Sequence, residues 1–429
     1  MMAAMKDSGI EWIGEMPEDW NDCTPLRFCA SLNIATSPFD PEKPYLALEN
    51  ISSWTGKIKS EEQPDQVDSL VANYSRSDVL FGKLRPYLAK VVRPTADGQC
   101  STELLPISPT SLDHDYLFWL LINKGFIDTV NSMTYGVKMP RTSWLQLGAL
   151  YCPVPPRKEQ ANIAAFLDNR CADIDNVSQT LESQIALLKR YRASVIHEAV
   201  TRGLNPNALT KPSGVNWIGN IPEDWDVTPL GYLGSFQNGI SKDGDSFGEG
   251  HPFVSYGDVY SNRSLPATVK GLVKSNTDEQ FRYSVKRGDV FFTRTSETAS
   301  EIAFASTCFS TIEKATFAGF LIRFRPNGNR LNPRYGSYYF RNTGLRNYFV
   351  KEMMIVTRAS LGQQLLKRLP VLIPSIDEQE RIADYLDART AAIDAVLDTK
   401  RKQLDILKRR RQSLIYEYVT GKRRVTEEA

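Results

Sequence analysis

The 429-residue sequence lacks the features that mark membrane, secreted and metal-binding proteins. No apolar run approaches the roughly 18 to 20 residues that span a bilayer, and residues 1–10 hold no apolar segment of the kind a signal peptide requires. The six cysteines are scattered and form no C-x-x-C pair, which argues against a zinc site and a disulfide framework. We therefore predict a cytoplasmic protein with no membrane partner and no metal ion.

The motifs of nucleotide-dependent and group-transfer enzymes are also missing. No phosphate loop is present, since Gly82-Lys83 is followed by leucine, and no glycine-rich cofactor fingerprint follows a strand pattern. The Asn/Asp-Pro-Pro-aromatic element of an amino-methyltransferase is absent, because Pro155-Pro156 is preceded by valine and followed by arginine. The three histidines have no metal-like or triad-like spacing. The chain is predicted to be no catalyst and to bind no cofactor of its own.

A large excess of positive charge is missing as well. The 52 basic and 50 acidic residues leave a formal net charge of +2, whereas dedicated nucleic-acid binders often carry much more. This balance permits DNA binding if basic side chains gather on one face, and it equally permits acidic contacts with other subunits. Net charge alone therefore does not distinguish DNA binding from contact with other subunits. The length of the chain favours two or more domains.

An internal repeat is the clearest positive feature of the sequence. The segment W-I-G-E-M-P-E-D-W at residues 12–20 recurs 205 residues later as W-I-G-N-I-P-E-D-W at residues 217–225, with seven of nine positions identical. A second element, Glu159-Gln160 followed by I-A, F-L-D and I-D, recurs 219 residues later as Glu378-Gln379 followed by I-A, Y-L-D and I-D. Duplicated frames around divergent middles suggest one scaffold that presents two different surfaces.

The end of each copy has the pattern of a long helix. Residues 157–201 contain no proline or glycine, and a full helix of this length would span roughly 67 Å. Apolar residues at seven-residue spacing predict a seam with a partner helix, and the obvious partner is the other copy. The alternative is two independent amphipathic helices, each packed on its own domain. The predicted seam residues are Leu167, Ile174, Leu181, Leu188 and Val195 in the first copy and Leu386, Ile393, Leu407 and Leu414 in the second.

The middles of the two copies have the pattern of α/β or α+β domains. Short apolar or alternating runs between turn residues predict strands, and Tyr116 and Tyr335 each stand near the start of a predicted helix. The predicted strands include residues 79–81, 88–92, 290–292 and 320–324. The predicted domains are residues 1–156, 157–205, 206–373 and 374–429.

Two loops carry the positive chemistry. Each follows an Asp-Val-hydrophobic-Phe frame that begins at Asp78 in the first copy and Asp289 in the second, but the polar residues that follow differ. Arginine and lysine pair with guanine edges or phosphates, while serine, threonine and glutamate reach phosphates or a cytosine amino group. A solvated hairpin would look similar. The candidate DNA contacts are Lys83, Arg85, Tyr87 and Lys90 in the first copy and Thr293, Arg294, Thr295, Ser296, Glu297 and Thr298 in the second.

Weaker candidates follow later in each copy. Lys138 and Arg141 stand in residues 138–143, and Arg358 opens residues 358–364; a plain turn leading into a helix explains both segments about as well. The basic runs at residues 408–411 and 422–424 are predicted to contact a partner subunit or solvent rather than bases.

In its motif order and duplication, the chain resembles the specificity subunits of type I restriction–modification systems, the HsdS family. The matching residues are the two W-I-G-x-x-P-E-D-W segments, the strands before Lys83 and Arg294, and the P-x-x-x-E-Q helix starts at Pro155 and Pro374. The resemblance covers nearly the whole chain. It implies two target-recognition domains joined by an antiparallel two-helix coiled coil with pseudo-twofold symmetry.

The resemblance also implies partners and a division of labour. Each recognition domain would read one half of a bipartite double-stranded DNA target, and the helix pair would set the spacer. DNA methyltransferase subunits would supply S-adenosylmethionine, and motor/endonuclease subunits would supply ATP hydrolysis with Mg²⁺ and cleavage, in a bacterial or archaeal cytoplasm. Three alternatives stay open: a nuclease or methyltransferase with an unrecognised site, a coiled-coil scaffold that binds protein only, and the recognition subunit of a related bipartite-site system.

Overall fold

The structure is a computed structural model that describes residues 4–59, 64–136, 138–296, 302–345, 348–349 and 359–425. The chain divides into two compact units. Unit 1 comprises residues 1–183 and 400–429, and unit 2 comprises residues 184–399. Two long helices, Arg157–Arg202 and Ile376–Val419, each contribute one half to each unit.

Unit 1 contains the first middle of the repeat. Its strands are β1 Met5–Asp7, β2 Glu15–Pro17, β3 Asn21–Pro25, β4 Ala30–Leu32, β5 Thr36–Ser37, β6 Tyr45–Leu46, β7 Val71–Tyr74, β8 Val79–Gly82, β9 Val91–Val92, β10 Gly98–Cys100, β11 Leu104–Pro109 and β12 Tyr151–Val154. Its helices are α1 His114–Leu121, α2 Lys124–Ser132, α3 Trp144–Ala149 and the first half of α4 Arg157–Arg202. Short 3-10 turns stand at Leu26–Phe28, Leu48–Asn50 and Pro86–Leu88.

Unit 2 contains the second middle. Its strands are β13 Thr210–Pro212, β14 Asn220–Pro222, β15 Asp226–Pro229, β16 Gly234–Asn238, β17 Phe247–Val254, β18 Gly271–Val273, β19 Val290–Thr293, β20 Thr295–Ser296, β21 Ala305–Thr307, β22 Thr316–Phe317, β23 Leu321–Pro326, β24 Ala359–Ser360 and β25 Pro370–Ile373. Its helices are α5 Tyr256–Ser261, α6 Thr277–Arg282, α7 Pro333–Tyr339, α8 Gln363–Arg368 and the first half of α9 Ile376–Val419, with 3-10 turns at Leu230–Tyr232 and Gly244–Ser246.

The same four-stranded antiparallel sheet recurs in both units. Its order is β4-β11-β8-β9 in unit 1 and β16-β23-β19-β21 in unit 2. Buried strand residues such as Phe81 and Phe292 pack from these sheets into the main core of each unit, with the first turns of α1 and α7. The mixed α/β fold class is confirmed, with antiparallel strand pairs in most ladders and parallel pairs at β6–β10 and β17–β22.

The predicted secondary structure needs one correction. The helices expected near Tyr116 and Tyr335 are present as α1 and α7. The strand expected at residues 88–92 is only β9, because Ala89 has a left-handed backbone with φ of 44° and ends the 3-10 turn before it. This conformation reverses the chain toward β8.

The long helices bury a seam of alternating three- and four-residue spacing. Leu167, Val195, Leu386 and Ile393 are buried as expected, whereas the other five predicted seam residues are half-buried: Ile174, Leu181, Leu188, Leu407 and Leu414. The same spacing places Cys171 and Arg411 in the seam. It leaves Val177 and Tyr191, which flank the predicted seam, on the surface.

The two helices run antiparallel where they meet in each unit. In unit 1, Phe166 of α4 packs on Tyr418 of α9, with ring centroids 4.4 Å apart, and Asp175 pairs with Arg411 at 3.0 Å. In unit 2, Arg192 pairs with Asp394. Each helix also packs on the sheet domain of that unit. The helices pair as predicted, and the alternative of two independent helices is wrong.

The repeated sequence elements dock the domains on the helices. Trp20 and Trp225 are buried, and each indole Nε1 donates a 3.0 Å hydrogen bond to the repeated glutamate, Glu159 or Glu378. Gln160 accepts a bond from the backbone N–H of the α1 N-cap residue at 2.7 Å and donates to the Pro155 carbonyl at 2.8 Å. These contacts explain why W-I-G-x-x-P-E-D-W and E-Q recur together.

Candidate nucleic-acid interface

A buried aspartate fixes the strand that leads to each predicted reading loop. Asp78 in unit 1 accepts hydrogen bonds from the side chains of Asn33 and Ser108. Asp289 in unit 2 is paired instead with Arg325 through two contacts of 2.6 Å. Because a buried carboxylate requires hydrogen bonds or a counter-ion, these partners hold β8 and β19 in place. The repeated aspartates are therefore structural.

In unit 1 the backbone joins the two segments that were predicted separately. The Lys83 N–H donates to the Glu103 carbonyl at 2.8 Å, and the Thr142 N–H donates to the Lys83 carbonyl at 3.0 Å. The Arg85 N–H donates to the Pro140 carbonyl at 2.7 Å. The strong candidate loop after β8 and the weaker candidate segment around Arg141 thus form one surface.

The side chains of this surface combine cations with exposed apolar groups. Arg85 and Lys138 are exposed, and Arg141 is 3.2 Å from Glu103. Tyr87 and Tyr135 expose about half of their side chains, at 44% and 60%. Arginine and lysine can contact phosphates or guanine edges, and exposed aromatic rings can pack on sugars and bases. Unit 1 therefore presents a surface suited to DNA.

Lys90 does not belong to the exposed part of this surface. Its Nζ donates a hydrogen bond to the Leu48 carbonyl, and burial lowers the pKa of its amine. The side chain is half-buried and ties the segment after the 3-10 turn to the neighbouring loop. We correct its predicted role from DNA contact to support of the loop.

Unit 2 repeats the backbone arrangement with other side chains. The Arg294 N–H donates to the Phe320 carbonyl at 2.9 Å, and the Leu361 N–H donates to the Arg294 carbonyl at 2.7 Å. Strands β20 and β24 then pair antiparallel, with Thr295 opposite Ser360. These bonds match those of Lys83, so the loop after β19 also lies beside the later candidate segment.

The predicted contacts of the second loop divide into three groups. Arg294 is half-exposed and forms no ion pair with any described residue. Thr295 is half-exposed as well, and its carbonyl accepts a 2.9 Å hydrogen bond from the Tyr256 hydroxyl. For Ser296 only the backbone pairing is described, while Glu297, Thr298 and Arg358 lie outside the described residues.

The predicted role of Thr293 as a DNA contact also needs correction. It is fully buried, and its hydroxyl accepts a 2.9 Å hydrogen bond from the Phe304 N–H. It closes the base of the loop and does not reach the surface. Phe320, which the sequence assigned to a strand, does reach the surface and exposes 64% of its side chain. Gln363, in the weaker candidate segment at residues 358–364, is half-buried and donates a 2.8 Å hydrogen bond to Asn238.

Comparisons with known proteins match this geometry. The family described as the type I restriction modification DNA specificity domain matches residues 222–405. The Escherichia coli type I restriction enzyme EcoDI specificity subunit is 30% identical over 191 residues, which cover 43% of each chain. The putative type I restriction enzyme MjaX specificity subunit of Methanocaldococcus jannaschii is 26% identical and is aligned over 96% of each chain.

A solved structure has the same fold. A chain from a study of complex assembly and conformational transition in the type I restriction–modification system superposes with a TM-score of 0.70 at 19% identity. The superposition covers 95% of this chain and 99% of the other. Over nearly its whole length, the chain is similar to a type I restriction–modification specificity subunit. The names of the matching family and relatives support a DNA-recognition component and not a catalytic one.

The prediction for the basic runs at residues 408–411 and 422–424 needs correction. Arg411 is buried and pairs with Asp175, and its guanidinium also donates to the carbonyls of Trp54 and Thr55 at 2.7 and 3.4 Å. Arg424 pairs with Asp19 and Glu159. Both were expected to face partners or solvent. Both instead hold unit 1 together.

Arg411 and its repeat equivalent Arg192 are the residues that sequence reasoning missed. Asp175 and Asp394 were recognised as a repeated pair, but the arginines that stand opposite them, also 219 residues apart, were not. An Asp and an Arg that recur at one offset could have indicated an interhelical ion pair.

Among the described residues, the chain has no His/Cys/Asp/Glu cluster suited to a metal ion and no helix that could cross a membrane.

Proposed function

We propose that each unit of this specificity subunit reads one half of a bipartite double-stranded DNA target, and that the antiparallel helices set the spacer between the halves. The observation that carries the proposal is the shared surface of each unit. In both, the loop after the central strand is hydrogen-bonded to the later candidate segment in the same backbone pattern, while the side chains differ. One scaffold with two different polar surfaces suits two different half-sites.

The same proposal assigns the chemistry to partners. DNA methyltransferase subunits would bring S-adenosylmethionine, and motor/endonuclease subunits would bring ATP and Mg²⁺. Cytoplasmic action is part of the proposal and agrees with the absence of disulfides among the cysteines, all six of which are free thiols. This chain contributes the selection of the site.

The experiment compares Arg294→Ala and Arg85→Ala, one in each unit. Methylated sites are mapped across a genome for complexes carrying each variant. Each substitution should lower methylation at cognate sites, and Arg294→Ala should relax one half-site while Arg85→Ala relaxes the other. A bidentate arginine–guanine pair contributes about 1–3 kcal/mol of discrimination, so the expected loss is roughly 5- to 150-fold.

Assembly provides the control for this experiment. Both side chains lie away from the contacts that dock the domains on the helices, so the variants should assemble with methyltransferase subunits like the wild type. Lost assembly with unchanged half-site selectivity would contradict the assignment. Relaxation of the same half-site by both substitutions would contradict the division between the units.

A further inference from the structure

Unit 1 contains an arginine site made from the repeated residues. Glu159 accepts hydrogen bonds from Nε and Nη2 of Arg424 at 2.9 and 2.8 Å, and Asp19 accepts one from Nη2 at 2.6 Å. Glu159 also accepts the Trp20 indole N–H at 3.0 Å. Two carboxylates thus bind one guanidinium beside a buried tryptophan. The hydrogen bonds that Arg424 donates to Glu159 and Asp19 raise its pKa above the usual value, despite its partial burial.

Unit 2 retains this acceptor without an arginine. Glu378 accepts the Trp225 indole N–H at 3.0 Å, as Glu159 does from Trp20, and Asp224 stands next to Trp225 as Asp19 does next to Trp20. Glu378 is half-buried and Asp224 is exposed. No lysine or arginine pairs with either carboxylate within the described part of the chain.

The segment that supplies Arg424 in unit 1 has no basic counterpart after α4. Arg424 lies three residues after Gly421, the positive-φ glycine that ends α9. The matching glycine after α4 is Gly203, whose Cα lies close enough to Glu378 that an added Cβ would be 3.1 Å from Oε1. The segment that follows continues as Leu-Asn-Pro, with no basic residue.

Asp224 and Glu378 hold the sequence positions of Asp19 and Glu159, which together bind one guanidinium in unit 1. The recognition loops diverged between the copies, whereas the acceptor residues did not, although among the described residues only the first copy has an arginine paired with them. We propose that Asp224 and Glu378 of unit 2 bind an arginine side chain of a partner protein, in the place that Arg424 fills in unit 1. Arginine fits better than lysine because its planar fork satisfies both oxygens of one carboxylate at once.

The partner we assign is the methyltransferase subunit, so the inference rests on the proposed function. Arg424 shows the geometry that the incoming side chain would adopt: side-on to the glutamate, with Nη2 shared by the aspartate. In unit 1 the chain's own tail occupies this position. The contact would therefore be made at unit 2 and would distinguish unit 2 from unit 1.

The test measures the Kd for assembly of the full chain with purified methyltransferase subunits. The double variant Asp224→Asn with Glu378→Gln keeps the side-chain volumes and an acceptor for the Trp225 indole, and it should weaken assembly about 10-fold or more. Asp226→Asn changes an exposed carboxylate that has no counterpart in unit 1, and it should leave the Kd unchanged. Tryptophan fluorescence checks that unit 2 stays folded.

A gain-of-function variant completes the test. Asn205→Arg places a guanidinium in the segment that matches the Arg424 tail, so it should occupy the site, stabilise unit 2 and weaken assembly. Wild-type assembly by the double variant would overturn the inference, as would a double variant that loses only self-association of this chain. If the wild-type chain fails to assemble at all, the proposed function itself is wrong.

Discussion

Arg411 offers the sharpest test of how the helix pair is held, because the repeat supplies its own control. The Arg411–Asp175 pair leaves 8% and 11% of the two side chains exposed, whereas the equivalent Arg192–Asp394 pair leaves 31% and 51% exposed. Removing one member of a buried ion pair costs about 3–5 kcal/mol. An exposed pair contributes about 0.2–1 kcal/mol.

We expect the loss of stability caused by Arg411→Ala to lie near the low end of the range for buried ion pairs. Lys57 remains 3.3 Å from Asp175, so the aspartate keeps a cation after the substitution. The carbonyls of Trp54 and Thr55 lose their donor. We expect a loss of about 3 kcal/mol from unit 1, a factor of roughly 150 in its unfolding equilibrium. Arg192→Ala should cost unit 2 less than about 1 kcal/mol.

Hydrogen–deuterium exchange separates the two effects because it reports each segment of the helices. Arg411→Ala should lower the protection of residues 404–419 by roughly 100-fold, while Arg192→Ala should change residues 184–199 by less than about 5-fold. Urea unfolding followed by tryptophan fluorescence gives an independent measure of stability. Equal losses for the two substitutions would refute the argument from burial.

Two further substitutions test single contacts. Arg325→Ala leaves the carboxylate of Asp289, which is 1% exposed, without its counter-ion. Differential scanning calorimetry should therefore show a loss of about 3–5 kcal/mol in the free energy of unfolding. A loss below about 1 kcal/mol would contradict the pairing. Gly421→Ala would place a Cβ 2.3 Å from Pro17, whereas Gly214→Ala meets nothing within 4 Å at a similar positive φ. Urea unfolding should show only about 1–2 kcal/mol of backbone strain for Gly214→Ala and a clearly larger loss for Gly421→Ala.

The sequence predicted the repeated frame of the protein because this frame is periodic and duplicated. The helix expected at residues 157–201 is α4, and the repeated strands after Asp78 and Asp289 are β8 and β19. Periodicity reports which face of an element is buried, and duplication shows which positions serve both copies. The domain boundaries at residues 156, 205 and 373 stay a prediction.

The site was predictable only in part. The loops that carry Arg85 and Arg294 were found from their composition, but Thr293 and Lys90 were assigned to DNA when they support the fold. Composition cannot distinguish a polar side chain that points out of a loop from one that closes its base. Phe320 was assigned to a strand, because a local pattern does not reveal that the residue beside a strand faces solvent.

The sequence alone determined that this protein is a duplicated frame around two different surfaces, since identical residues at fixed offsets are visible without any coordinates. Only the tertiary structure decided which polar residues belong to the frame. Arg411 and Arg424 look like members of basic runs, yet they pair with carboxylates about 236 and 265 residues away along the chain. Contacts over such separations follow from the packing of whole elements, and no local pattern encodes them.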